Sequence, residues 1–310
     1  MTILFASPNW PEFRSPLSKA FKAEGIDPYS LTSNLEINPL EVEFIIYSPN
    51  NLCFDFSKFQ NLKAILSLWA GVDEIIQNPT ISVPLIRLID PGIKQGMIEW
   101  CTAHLLRHHL SLDNYIKPKK QKWETNIDPP LAKERSVGIL GLGTLGSVVA
   151  ESLQNLNFNV HGWSRIKKKN SKLPTHYGSA GLDTILSLSE ILILLLPLTP
   201  KTRFLLNKQS FKKCKDGAVI LNPGRGELIN DNDLLEALNS EKIRHATLDV
   251  FCEEPLPSTH PFWKHEGVTI TPHIAATTRP NSASLVIAKN IARIRNGQMP
   301  EGLVNMKTYY

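Results

Sequence analysis

Three charged residues of the 310-residue chain each follow a short apolar run. Arg225 stands in Asn222-Pro223-Gly224-Arg225-Gly226, behind Ala218-Val219-Ile220-Leu221. Glu254 comes just after Asp249-Val250-Phe251, and His273 stands in Thr271-Pro272-His273, at the end of Val268 to Thr271. A histidine titrates near neutral pH and can hand a proton to a developing alkoxide. A carboxylate on its other ring nitrogen fixes the ring and raises its pKa. An arginine grips a carboxylate through two parallel hydrogen bonds and polarises the carbonyl beside it. Each residue singly also has an ordinary reading: a surface ion pair, a solvated loop, a satisfied core histidine. In order on one sheet edge, the three would make a site for reducing a carbonyl by hydride.

Such residues converge only if a parallel sheet brings the C-terminal ends of their strands to one edge. The sequence predicts that sheet. Val137-Gly138-Ile139-Leu140 reads as a buried strand, and Gly141-Leu142-Gly143-Thr144-Leu145-Gly146 follows at once. Leu145, Val148, Val149, Leu153 and Leu156 then recur at helical spacing. Strand, glycine turn and helix in this order make a dinucleotide-binding fingerprint, where GxGxxG without context would be a weak signal. Gly141 permits the tight turn, Gly143 lets backbone N–H groups approach a pyrophosphate, and Gly146 lets helix and strand pack closely. Further strands are expected at 158–163, 190–196, 218–222, 245–251 and 268–271, with a helix over 231–238 capped by Asn230 or Asp231.

The second of these strands ends at Ser164 and Arg165, with Lys167, Lys168 and Lys169 behind. An NAD-binding unit normally carries an acid there for the ribose 2′-hydroxyl. No acidic residue occurs between Glu151 and Asp183. A guanidinium fork and a hydroxyl suit a 2′-phosphate, which predicts NADP(H) in preference to NAD(H). A solvated basic turn is the alternative.

Residues 1 to about 95 alternate short strands with helical stretches and lack a glycine fingerprint, so a second, smaller α/β unit is expected there. A long helix is expected from 95 to about 115. Its His104 and His108 stand four apart, as in some metal sites, but nothing completes a ligand set, and no metal is expected. Residues 117–130 read as an extended polar arm, and 280–297 as a last helix that returns to the first unit. Domain boundaries are placed at 1–97 with 281–310, and at 98–280.

A net charge of +5 is mild and scattered, which does not argue for nucleic acid. Ile191 to Leu196, the most apolar run, is too short to span a bilayer, and no membrane partner is expected. No secretory signal is apparent at the N-terminus. Four cysteines without a CxxC pair suggest reduced thiols and a cytoplasmic setting.

Taken together, the chain resembles the D-2-hydroxyacid dehydrogenase family. The matching pieces are Leu140-Gly141-Leu142-Gly143, Leu196-Pro197-Leu198-Thr199, 222–226, Leu248-Asp249-Val250-Phe251, Glu254-Pro255-Leu256-Pro257 and Thr271-Pro272-His273. Within it, Trp163-Ser164-Arg165, Trp69-Ala70-Gly71-Val72-Asp73 and the stretch 273–280 are most similar to the glyoxylate/hydroxypyruvate reductase branch. The resemblance implies two similar α/β domains, a Rossmann-type doubly wound parallel sheet inserted in a flavodoxin-like substrate domain, and a homodimer. It implies a small 2-keto acid as substrate, with Arg225 as its clamp, His273 as the acid/base and Glu254 as partner. Trp69, Ala70, Gly71 and Val72 would face the substrate, with backbone N–H groups on its carboxylate. Gly141, Gly143, Thr144, Leu145, Gly146, Ser164, Arg165, Lys168, Leu196, Pro197, Thr202, Asn222 and Asp249 would line the cofactor. Trp69 replaces an expected small residue and Pro223 is unusual in the arginine loop, so both bear on pocket shape. Another dehydrogenase of the family, such as a phosphoglycerate dehydrogenase, and a dinucleotide-sensing binding protein are the alternative functions. Glu254 speaks against a formate dehydrogenase, whose pair resembles Gln–His.

Overall fold

Strands of two to six residues, most of them apolar, form two parallel sheets. The structure, a computed structural model, describes residues 2–49, 54–116, 129–167 and 173–306. Lys168 and Lys169, Cys53 and most of the expected arm, with Trp123, lie outside the described residues. The chain divides into one unit of Met1–Lys94 with Thr277–Tyr310 and a second of Gln95–Ala276.

In the first unit, β1 (Thr2–Ala6), β2 (Leu31–Thr32), β3 (Val42–Tyr47), β4 (Ala64–Ser67) and β5 (Leu85–Ile86) pair in the order β2-β1-β3-β4-β5. All four pairings are parallel, and the order is that of flavodoxin-like sheets. α1 (Trp10–Ala23) follows β1. Its Phe13, Leu17, Ala20 and Phe21 recur at helical spacing and are buried.

α2 (Pro91–His109) starts four residues earlier than its apolar pattern suggests. Asp90 accepts the Ile93 N–H, and Pro91 follows it, a start signal readable in the sequence. The helix also stops earlier than expected. Ser111 takes a φ of +53°, its N–H bonds to the His108 carbonyl, and the Leu112 N–H bonds to that of Arg107. That is a Schellman ending with serine where glycine is usual, so no glycine marks the stop. The short α3 (Asp113–Ile116) follows, tied back by Arg107 to Asp113 at 2.7 Å.

The second sheet holds β6 (Ser136–Leu140), β7 (Asn159–Ser164), β8 (Thr175–Tyr177), β9 (Ile191–Leu194), β10 (Ala218–Asn222), β11 (Ile243–Leu248) and β12 (Val268–Ile270). Their order is β12-β11-β10-β9-β6-β7-β8, every pairing parallel. The order reverses between β6 and β9, the topological switch point beside which ligands bind in doubly wound sheets. β9 and β10 are buried throughout, which explains their unbroken apolar runs. β2 and β8, edge strands of two and three residues, are too short to show an alternation. Around this sheet run α4 (Thr144–Asn155), α5 (Gly178–Leu188), α6 (Lys208–Lys213) and α7 (Asp231–Asn239). Finally α8 (Pro280–Arg295) packs against α1 of the first unit. No helix among the described residues is long and apolar enough to cross a membrane.

Candidate active site

The loops after β6, β9, β10, β11 and β12 leave the same edge of the second sheet, because those strands are parallel. After β6 the chain turns at Gly141, whose φ of +106° suits glycine. A Cβ at Gly146 would stand 1.8 Å from the Gly141 carbonyl oxygen, so only glycine lets α4 start this close to the strand. A Cβ at Gly143 would meet nothing within 4 Å. That side of the loop is open. α4 follows Gly143, which gives it no side-chain cap, and has no acid in its first turn, so Thr144, Leu145 and Gly146 stand at a positive helix end suited to a phosphate. By contrast, α7 on the same sheet is capped by Asn230, which accepts the Asp233 N–H.

β7 ends at Ser164, which is buried, and its hydroxyl donates to the Ile166 carbonyl at 2.7 Å. The hydroxyl thus folds the turn that presents Arg165 to solvent. After β9, Leu196 is buried and Thr202 is 2% exposed. The Thr202 hydroxyl accepts the Thr199 N–H and donates to the Pro197 carbonyl at 2.7 Å. It braces the Pro197 loop from inside.

Arg225 sits on a turn built by Asn222. The Asn222 side chain donates to the Arg225 carbonyl at 2.9 Å and accepts the Gly224 N–H at 3.1 Å. Pro223 is buried in the same turn. A Cβ at Gly226 would lie 1.9 Å from the Phe251 carbonyl carbon, so the arginine loop is pressed against the glutamate loop.

His273 Nδ1 and Glu254 Oε2 are 2.7 Å apart. Glu254 also accepts the Phe251 N–H through Oε1, which orients the carboxylate. The hydrogen bond to Glu254 raises the His273 pKa, and the carboxylate charge adds to it against partial burial and the charge of Arg225. Burial pushes the Glu254 carboxyl up. The bond to His273, the Phe251 N–H and the charges of His273 and Arg225 outweigh it, so Glu254 stays below the usual range. Arg225 therefore acts on both partners, and the structure brings the three residues together.

Asp249 is fully buried, with one oxygen accepting from the Thr271 hydroxyl and the Ile274 N–H and the other from the Ala275 N–H. Its carbonyl takes the His273 N–H at 2.8 Å. His273 has a φ of +53°, unusual for a residue with a side chain, and Asp249 holds the backbone at and after it and the Thr271 hydroxyl before it. Trp100 on α2 donates its indole N–H to the Thr271 hydroxyl. Thr271 and Trp100 are supports that sequence reading missed; both lay in stretches already noted, but nothing in their spacing pairs them.

Trp69, Ala70, Gly71 and Val72 follow β4 in the first unit. Trp69 is exposed, Ala70 and Gly71 are partly buried and Val72 is buried. His104 packs against Trp100 at 4.4 Å between ring centroids, and His108 bonds to the Thr247 hydroxyl at 2.9 Å. Among the described residues no group of three or more His, Cys, Asp or Glu could hold a metal ion. Cys101 and Cys214 are buried, and burial raises both thiols, Cys214 to about 12; the Cys252 residue is exposed, but partial burial of its thiol and the Asp231 and Glu227 carboxylates beside it raise it to about 12.

Residues 100–275 match the family model for the D-isomer specific 2-hydroxyacid dehydrogenase NAD binding domain. The chain belongs to the D-isomer specific 2-hydroxyacid dehydrogenase family. It is therefore an oxidoreductase of the NAD(P)-dependent 2-hydroxyacid dehydrogenase type. A glyoxylate/hydroxypyruvate reductase A from Serratia proteamaculans is 40% identical over 257 residues, 80% of this chain and 82% of its own length. Among solved structures, a family member from Xanthobacter autotrophicus in complex with NADPH and MES is 33% identical with a TM-score of 0.90, covering 100% of this chain and 99% of that one. An NADPH-dependent glyoxylate/hydroxypyruvate reductase from Sinorhizobium meliloti, in complex with NADP and sulfate, is 31% identical with a TM-score of 0.90 and full coverage of both chains.

Proposed function

We propose that the chain is an NADPH-dependent reductase of small 2-keto acids, converting glyoxylate to glycolate and hydroxypyruvate to glycerate. The observation that carries this reading is the 2.7 Å His273–Glu254 pair, with a raised histidine pKa and Arg225 beside it. Bound NADPH supplies the hydride. The Arg225 guanidinium grips the substrate carboxylate and polarises the keto oxygen. Protonated His273 gives its Nε2 proton to the oxygen as the alkoxide develops, and Glu254 holds Nδ1 and stabilises the charged ring. Gly141, Gly143, Thr144, Leu145 and Gly146 take the pyrophosphate, Leu196 and Pro197 border the cofactor, and Ser164 and Arg165 form the 2′-phosphate end. Thr202, Asn222 and Asp249 serve that site through the loops they fold. The discontinuous first unit is the substrate domain, and the N–H groups of Ala70, Gly71 and Val72 receive the substrate carboxylate.

The names of the relatives support the substrate class and cofactor. A cytoplasmic homodimer belongs to the same reading, and Leu110, Leu112 and Tyr115, exposed where α2 ends, supply apolar surface for the dimer contact. The test measures NADPH and NADH oxidation against 2-keto acids that differ at C3. A charge-assisted bond to arginine is worth roughly 1.5–3 kcal/mol, or about 10- to 150-fold in affinity. The kcat/KM ratio of NADPH to NADH should exceed one by a factor of that order and collapse in Arg165→Asp. A wild-type ratio at or below one overturns the cofactor assignment, and absence of turnover with any 2-keto acid overturns the reductase.

A further inference from the structure

A row of backbone N–H groups serves an anion only if the loop cannot relax and bond them internally. In the first unit the N–H groups of Ala70, Gly71 and Val72 donate no hydrogen bond among the described residues. The flanking segment is held firmly. Ser67, 1% exposed, accepts the Trp69 N–H at 2.9 Å and donates to the Trp69 carbonyl at 3.1 Å. Thr278 lies 210 positions further along the chain and donates its hydroxyl to the Leu68 carbonyl at 2.7 Å. The Leu68 N–H bonds to the Tyr47 carbonyl, and the Trp69 carbonyl also takes the Leu88 N–H. On the far side Val72 is buried, and its carbonyl accepts from Ile76.

The Leu68 and Trp69 carbonyls are the acceptors that a relaxing turn would offer to its own donors. Both are engaged by hydroxyls that belong neither to the acid/base pair nor to the arginine loop. We propose that Ser67 and Thr278 are positioning residues for the substrate carboxylate, fixing 68–69 so that the Ala70, Gly71 and Val72 N–H groups stay turned to the anion. The proposal rests on the reading above that this turn receives the carboxylate. Thr278 also lies five residues beyond His273, so one short segment carries the proton donor and the pin of the carboxylate turn.

The experiment compares Thr278→Val, which keeps the shape and removes the hydroxyl, with Thr278→Ser and Ser67→Ala, by steady-state kinetics and by calorimetry of oxamate binding to the NADP-loaded enzyme. Losing one such bond should raise the glyoxylate KM roughly 5- to 20-fold while kcat changes less than about 2-fold. Oxamate affinity should fall in parallel, NADPH affinity should hold, and Thr278→Ser should recover most of the loss. A Thr278→Val enzyme with KM and oxamate affinity within about 2-fold of wild type overturns the proposal. So does a fall in kcat and NADPH affinity that serine does not rescue. A wild-type protein that neither turns over 2-keto acids nor binds oxamate overturns the underlying reading as well.

Discussion

Two groups of histidines in the second unit titrate in opposite directions. His273 leaves the C-terminal edge of the sheet with its side chain 53% exposed, and it meets a carboxylate at 2.7 Å. His108 and His245 lie between α2 and the sheet, ring centroids 4.8 Å apart, and the side-chain hydrogen-bond partner of each is a threonine hydroxyl, Thr247 or Thr269. Glu254 raises His273. Burial lowers His108 to about 3 and His245 to about 4, and the charges of Arg107 and Arg244 press the same way, with Asp113 opposing them. A hydroxyl accepts from or donates to a neutral ring equally well, whereas a carboxylate favours the charged ring. What raises the pKa of a histidine here is therefore its partner and its edge position.

The largest effect should come from removing the proposed acid. His273→Asn should lower turnover roughly 100-fold or more, since general acid catalysis contributes about 10²–10⁴-fold, and should leave NADPH binding nearly intact. His108→Gln, assayed in parallel, should keep turnover; a comparable loss there with an unchanged Tm would break the contrast.

A smaller effect should follow from Glu254→Gln, which keeps the bond geometry and removes the charge. With protonated His273 as the proposed acid, the rate of reduction should hold at low pH and fall as pH rises through the raised pKa. Without the carboxylate that pKa drops, and the falling limb of kcat/KM should move to lower pH with a loss of about 10-fold at neutral pH. A limb that stays in place would assign the raised pKa to another neighbour.

The smallest effect is on stability. His108 and His245 have folded pKa values below the ordinary 6.5, so the unfolded chain binds more protons as pH falls. Their contribution is complete above about pH 6.5 and is lost as pH falls toward about 4 and about 3. The His273–Glu254 pair behaves differently. The histidine part is complete below about 6.5 and lost as pH rises through its raised pKa, and the glutamate part is complete above about 4.5 and lost at lower pH. Replacing His245 with Gln should flatten the fall of Tm between about pH 6 and 4 by a few degrees, whereas His273→Asn should not. Equal acid profiles for both variants would count against the contrast.

Much of this was legible in the residues. β6, the glycine turn and α4 can be read because strand, turn and helix are contiguous and each glycine answers a local steric demand. The apolar runs of β9 and β10 follow from burial on both faces. Arg225, Glu254 and His273 could be chosen because each follows a strand, and parallel strands share an edge. The ends of α2 and the edge strands β2 and β8 were less legible, since a serine in a left-handed turn and two- or three-residue pairings leave little pattern.

Only the tertiary structure decided which polar groups support which. Asp249 is read from sequence as a residue lining the cofactor, yet both its oxygens are engaged in the backbone around His273. Thr202 and Asn222 likewise turn their polar atoms inward to fold loops. Thr278 reaches Leu68, and Trp100 reaches Thr271, across 210 and 171 positions. Sequence spacing determines which face or strand end a residue occupies, because the helical and strand periods are local. A hydrogen bond between distant segments depends on how sheets and helices pack, and no local period carries that information.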